Sequence, residues 1–248
     1  MIVLAVLGYA SDHYGNFPPS VAKIGDSQRH WAWQEPTVIT SASTGYSKRV
    51  RSVSTYLFPY IEKSDIMFCP NAPNKYPYLK QAWQQGDAWD NPDTFQTDDP
   101  VYGSFCFYWS YTAVLEESDT PFYGASSSTV SSDESSLLVS DYFGYGHWRN
   151  KSVYGSHRAF GSCEQFEHPN ITPGTAVSSD FWSIKADENS IKNIKLKLHG
   201  GFVDGHIETY HPQNVSAIRV AMDPQGKRAY PDLLGPGIFY IPNRAVSK

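Results

Sequence analysis

The sequence predicts an α+β fold: an N-terminal helix packed on an antiparallel β-sheet, with long irregular loops. Three observations predict it. The chain opens on an apolar run, Met1–Ala10 (MIVLAVLGYA), interrupted only by Gly8. Two later segments, Val101–Val114 and Ile194–Tyr210, have the aromatic, β-branched or alternating character of strands. The composition leans toward Ser (29), Gly (18), Pro (17) and Tyr (17). Apolar residues make up 40% and charged residues 18% of the chain, against about 45–50% and about 25% in ordinary soluble domains.

The same numbers exclude several classes. At 248 residues the chain can bury a sizeable core, and residues 1–248 read as a single unit. No apolar run reaches the roughly 18 residues of a transmembrane helix. A net charge of −5 with scattered Lys and Arg makes a poor partner for nucleic acid. Three cysteines, Cys69, Cys106 and Cys163, are too few for a disulfide scaffold and match no zinc spacing. They are compatible with one disulfide and a free thiol, or with three buried thiols.

The opening run has two readings. A signal-peptide core has this length but needs a basic segment before it, and no Lys or Arg precedes Lys23. The alternative is a packed helix that stops near His13–Gly15, with Gly15 suited to the C′ position and Pro18-Pro19 unable to continue it. A helix of about 13 residues is marginal alone, so it must be packed or be the rear part of a longer one.

From Val21 to Thr55 no period is sustained, although Trp31 and Trp33 fall there. A second helix is expected to run through Lys48–Tyr60, weakened by its β-branched residues and by Pro59. Asp65–Cys69 reads as a short strand or the start of a turn, closed by Pro70, and Asn71–Asp99 as irregular loop. In Val101–Val114 the period of two puts Phe105, Phe107 and Trp109 on one face and Cys106, Tyr108 and Ser110 on the other. Ser118–Ser136 reads as an exposed loop, Ser136–Asp141 as a buried strand, and Tyr142–Asp187 as turn-rich. Ile194, Leu196 and Leu198 alternate with lysines as a half-buried strand ending at Gly200-Gly201. Asp204-Gly205 then predicts a type I′ turn into His206–Tyr210. Residues 194–211 are thus a C-terminal hairpin, and 212–248 an irregular tail.

The densest polar cluster is His199, Asp204, His206, Glu208 and His211. Asp204 and His206 at the turn, with Asp141 at the end of a buried strand, are the candidate metal ligands. Calcium suits the Asp-rich loops better than zinc. The structural alternative makes Asp204 a turn former, His206 a cross-strand partner and Asp141 a local cap. A Ser140, His157 and Asp204 triad lacks the Gly-x-Ser-x-Gly elbow. The seven tryptophans suggest a sugar-stacking platform or, more simply, core. Sequons at Asn150, Asn170 and Asn214 are near chance frequency. No phosphate-binding or dinucleotide glycine motif is present.

Four segments carry a family resemblance. Leu7–Pro19 (LGYASDHYGNFPP), with Tyr9, Asp12, Gly15, Phe17 and Pro18 in its pattern, resembles the Leu-x-x-Tyr-Ala-x-Asp-x-x-Gly-x-Phe-Pro-Pro segment of bacterial pseudopilin-like proteins. These have a prepilin-type cleavage and methylation N-terminus and a C-terminal His-x9-Asp-Gly domain. Met67–Pro70, with Cys69 and Pro70, is similar to that family's Phe-x-Cys-Pro. Leu137–Asp141 resembles its strand ending in Asp, and Gly201–Glu208, with Asp204, Gly205 and His206, its Asp-Gly-His hallmark. The nine-residue spacing back from Asp204 falls on Ile194 rather than a histidine.

The resemblance implies a pilin-like fold, with residues 1–14 as the rear part of a longer helix. It implies a non-enzymatic structural subunit of an envelope or secretion assembly, outside the cytoplasm and without a cofactor. Its partners would be other pilin-like subunits or secretion-system components, and it would meet the membrane only through a segment upstream of Met1. A secreted carbohydrate-binding β-sandwich and a metal-dependent hydrolase are the alternatives.

Overall fold

The computed structural model describes residues 1–22, 35–40, 52–70, 78–89, 101–145, 152–156, 175–177, 181–185, 188–221 and 238–246. Trp31, Trp33, Trp148, Asn150, His157, Cys163 and Asn170 lie outside them. The described residues mix helix with antiparallel sheet. The helices are α1 (Ile2–Asp12), α2 (Val53–Leu57) and α3 (Leu79–Gln85). The strands are β1 (Val38–Thr40), β2 (Val101–Tyr102), β3 (Phe105–Phe107), β4 (Thr112–Leu115), β5 (Thr120–Gly124), β6 (Glu134–Ser135), β7 (Leu137–Asp141), β8 (Phe143–Tyr145), β9 (Ser152–Gly155), β10 (Thr175–Val177), β11 (Phe181–Lys185), β12 (Leu198–Phe202), β13 (Ile207–Tyr210), β14 (Val215–Val220) and β15 (Ile238–Pro242).

Helix α1 forms where the apolar run predicts it. Ile2, Val3, Ala5, Val6 and Ala10 are buried, while Met1 and Leu4 are 76% and 66% exposed. The stripe follows the helical period, so one face packs and the other is open. The helix ends in a tight cap. His13 N–H donates to Ala10 O at 3.1 Å and Gly15 N–H to the same carbonyl at 2.7 Å. Tyr14 (φ 57°) and Gly15 (φ 82°) are both left-handed, and the long bond is that of a Schellman cap. Tyr14, not Gly15, therefore takes the C′ position, and Gly15 the one after it.

The helix lies on a four-stranded antiparallel sheet, ordered β13-β12-β7-β3. The predicted period of two in β3 holds. Phe105, Phe107 and Trp109 pack in the core shared with α1, α2 and α3. Cys106 and Tyr108 pack in a second core with Phe202, Ile218 and Phe239. That second core joins the small sheet to a nine-stranded one, ordered β10-β11-β9-β8-β15-β14-β4-β5-β6 and antiparallel except between β5 and β6. The arrangement is three layers: helices, small sheet, large sheet.

Gly200-Gly201, expected to end a strand, sits inside β12. A Cβ on Gly200 would meet Leu137 and Phe202 on the side of the second core. A Cβ on Gly201 would overlap Cγ2 of Val3 in α1. A strand covered on both faces leaves no room for a side chain at Gly201 and little at Gly200, so here glycine marks close approach rather than a break. The strand starts only at Leu198, yet Ile194 and Leu196 are buried as the alternation requires.

Other expectations are corrected. The stretch Val101–Val114 is three strands, not one, bent where Ser110 takes φ 51°. The Ser-rich segment contains β5 and β6, and β5 pairs with β4. The supposed loop 71–99 contains α3, whose Trp83 is buried and donates its indole N–H to Ile61 O at 3.1 Å. Helix α2 is confined to Val53–Leu57, capped by the Ser52 side chain accepting from Ser54 N–H at 3.3 Å. Ser64–Met67 is a 3₁₀ turn. The turn-rich segment after Tyr142 carries β8 to β11. The tail supplies β14 and β15, which pair with each other in the middle of the large sheet. Cys69 and Cys106 are buried free thiols, and burial pushes the Cys106 thiol far above its ordinary range.

Gly201→Ala should lower stability by about 1–3 kcal/mol, because the added methyl overpacks the contact with Val3. Val3→Ala should cost about 1–2 kcal/mol alone but remove most of the Gly201→Ala penalty in the double variant. Urea unfolding of all four proteins measures this coupling; strict additivity would contradict the contact.

Candidate functional site

Strand β12 carries polar chemistry at both ends. At one end His199 stands beside Asp141, the last residue of β7. The carboxylate Oδ2 accepts the His199 backbone N–H at 2.7 Å and its ring Nδ1 at 3.0 Å. A carboxylate accepts here, so His199 Nδ1 is the donor. Asp141 is 5% exposed, whereas the His199 side chain is 47% exposed. The pair lines a cleft of about 190 Å³ between the start of α1 and the sheet. Ser140, next in β7, donates to Asp141 O at 3.0 Å and lies near Tyr108 Oη at 3.5 Å.

At the other end is the hairpin tip. Phe202 N–H donates to His206 O at 3.1 Å and Gly205 N–H to Phe202 O at 2.9 Å. Within this tip Gly205 (φ 85°) is the residue with positive φ. The connection is thus a three-residue loop with a left-handed glycine, not the type I′ turn expected from Asp-Gly. Asp204 Oδ1 accepts the His206 backbone N–H at 3.2 Å and also bonds its ring Nδ1. The imidazole stacks on Phe202, with centroids 4.5 Å apart. Arg244 lies over the same phenyl ring at 5.6 Å and pairs with Glu208 at 3.2 Å. Glu208 Oε2 is 3.9 Å from His206 Nε2. The His206 bond holds the Asp204 carboxyl below its ordinary value.

The structure brings Asp204 and His206 together but not Asp141. Five residues of extended chain, about 16 Å, separate Asp204 from His199, where Asp141 sits. Among the described residues no three His, Cys, Asp or Glu side chains group as a metal site. The Asp141 carboxylate holds His199. Glu208 pairs with Arg244, and His211 Nδ1 donates to Leu196 O at 2.9 Å, so neither is simply solvated. The Ser140 and Asp204 of the imagined triad also lie apart, and Ser140 is 1% exposed. Trp83, Trp89 and Trp109 are buried core, not a platform.

The motif residues near the N-terminus seat the helix. Tyr9 stacks on His13 at 3.7 Å and meets Tyr56 and Tyr60 edge-on. Asp12 accepts from Tyr60 Oη at 2.6 Å, and that bond pushes the Tyr60 phenol up to about 12. Gly15 O accepts from Ser128 N–H at 2.8 Å, and Phe17 N–H donates to Ser126 O at 2.9 Å. Phe17 and Pro18 are buried. Cys69 N–H bonds the Ser104 hydroxyl, which fixes the Met67–Pro70 turn against the start of β3. Pro70 is exposed. The pairing of Asp141 with His199, 58 residues apart, and the approach of Arg244 to the hairpin had no local sequence signal. No protein-family model, curated protein or solved structure matches this chain.

Asp141→Ala should destabilise by about 1–3 kcal/mol, because it removes the carboxylate that accepts the part-buried His199 N–H. His199→Ala, at an open position, should cost about 1 kcal/mol. Chemical denaturation separates them, and equal losses would contradict the asymmetry. The depressed Asp204 pKa adds stability above the unfolded Asp value of about 3.9 and loses it as pH falls through the lower folded value. Stability measured from pH 5 to pH 2 should therefore fall less steeply in Asp204→Asn than in the parent; parallel curves would contradict the bond to His206.

Proposed function

We propose that this chain is the globular part of a pilin-like, non-enzymatic structural subunit of an envelope or secretion assembly. The observation that carries the reading is helix α1. Its eleven residues contain no charge before Asp12, bury one face on the small sheet, and leave Met1 and Leu4 open at the leading end. Three buried aliphatic side chains, Ile2, Val3 and Val6, at about 1.5–3 kcal/mol each, hold so short a helix in place. Exposed apolar side chains at a helix end fit a rod that continues into another apolar environment.

The motif residues support the reading in a second way. Tyr9, Asp12, Gly15, Phe17 and Pro18 secure the rear of α1 against two neighbouring segments, as a subunit hung from that helix requires. The hairpin tip touches the same helix, since a Cβ on Gly205 would stand 3.7 Å from Leu7. The Ser-, Tyr- and Gly-rich loops would then face partner subunits. Among the described residues no helix is long and apolar enough to cross a membrane. Any membrane contact in this reading runs through chain upstream of Met1.

The test uses the protein purified from cells that make it naturally. We expect it in the envelope fraction, with a mature N-terminus inside an apolar helix that runs into Ile2. Recovery from the cytosol with Met1 as its first residue would overturn the proposal.

A further inference from the structure

We infer that the open edge of β13 is a docking site for an extended, acidic segment of a partner protein, added to the small sheet as one more strand. The inference stands apart from the subunit reading, because it rests on the direction of the β13 hydrogen bonds. β13 is an edge strand, with β12 as its neighbour among the described residues. Phe202 N–H donates to His206 O across the hairpin. In an antiparallel ladder the bonded pairs alternate, so Gly200 with Glu208 and Leu198 with Tyr210 are the bonded pairs that follow. His199, between them, turns its N–H the other way, to Asp141 of β7. By the same alternation Ile207 and Thr209 turn their N–H and C=O groups away from β12, to the outer edge. Ile207 is 60% exposed and Thr209 is exposed. Two donors and two acceptors in a row on an exposed edge are a template for a further strand.

Charge selects the occupant. Leu196 and Leu198 are buried, while Lys195 and Lys197 alternate with them and are exposed. The lysines therefore share the face of His199 and of its register partner Thr209. His211 Nδ1 donates to Leu196 O at 2.9 Å, which keeps this stretch beside the end of β13. Lys192, also exposed, is tied there through its carbonyl, which accepts from Gln213 Nε2. Glu208, the acidic residue of β13, already pairs with Arg244 at 3.2 Å. Among the described residues no carboxylate pairs with the three lysines. An added strand gains most when it lays an apolar side chain beside Ile207 and carboxylates toward these lysines. A second copy of β13 offers Glu208 as its acid, already held by Arg244, and so lacks that match.

The experiment is an NMR titration of the whole chain at low salt, with a short capped peptide alternating valine and glutamate and with its valine–lysine counterpart. The glutamate peptide should give saturable shifts and slowed exchange of the Ile207 and Thr209 amides, with a dissociation constant of about 1 mM. The lysine peptide should bind about fivefold more weakly, and the gap should close as salt rises. Thr209→Pro removes an outward N–H and breaks no ladder bond, so it should abolish binding. Lys195→Glu with Lys197→Glu, at exposed positions, should weaken the glutamate peptide about fivefold and leave unfolding by urea unchanged. No saturation in the parent, equal binding of the two peptides, or unchanged binding in either variant would each overturn the assignment. Dimerisation of the parent that Thr209→Pro abolishes would also overturn it, in favour of a second copy.

Discussion

Helix α1 reaches the small sheet because β12 offers it backbone instead of a side chain. At Gly201 the strand has nothing between its main chain and Val3. The adjoining Gly200 makes a smaller concession toward Leu137 and Phe202 on the opposite face. Two consecutive glycines cost backbone entropy in a strand. They are tolerated because both faces are covered at once. Once α1 is seated there, Ile2 and Val6 are drawn into the core that holds Phe107, Trp109 and Val139. The hairpin beyond Phe202 then closes over Leu7.

The polar groups of β12 follow from the same layering. Its ends emerge from between the helix and the large sheet, so the side chains there meet solvent on one side and packed chain on the other. His199 is held by a buried carboxylate from β7. His206 is held by Asp204 within the turn and by the face of Phe202. The two histidines have similar partners but different surroundings. One borders an apolar cleft, and the other caps a hairpin beside Arg244 and Glu208.

What was legible in the sequence was local. The apolar stripe of α1, the alternation through Phe105–Trp109 and the Asp204-Gly205 bend each depend on neighbours a few residues away. What was not legible depended on distant chain. Strands β14 and β15 sit in a tail whose Pro and Gly content reads as irregular, yet their partners β4 and β8 supply the ladders that make them strands. Helix α3 hides in a Pro- and Asn-rich stretch because its stability comes from burying Leu79 and Trp83, not from propensity. The two glycines of β12 signal a break to any local reading. Only the layers above and below explain them. The candidate ligands divided likewise: Asp204 and His206 are two residues apart and meet, while Asp141 needed the β7–β12 register to find its partner.

Helix α1 belongs to the folded core and does not merely rest on it. Native-state hydrogen exchange separates the two cases. The amides of Val6, Leu7 and Gly8 should exchange only through global unfolding, with the same free energy and denaturant dependence as those of Leu138 and Val139 in β7. Exchange of the helix amides through a low-energy local opening, while β7 stays protected, would contradict the account.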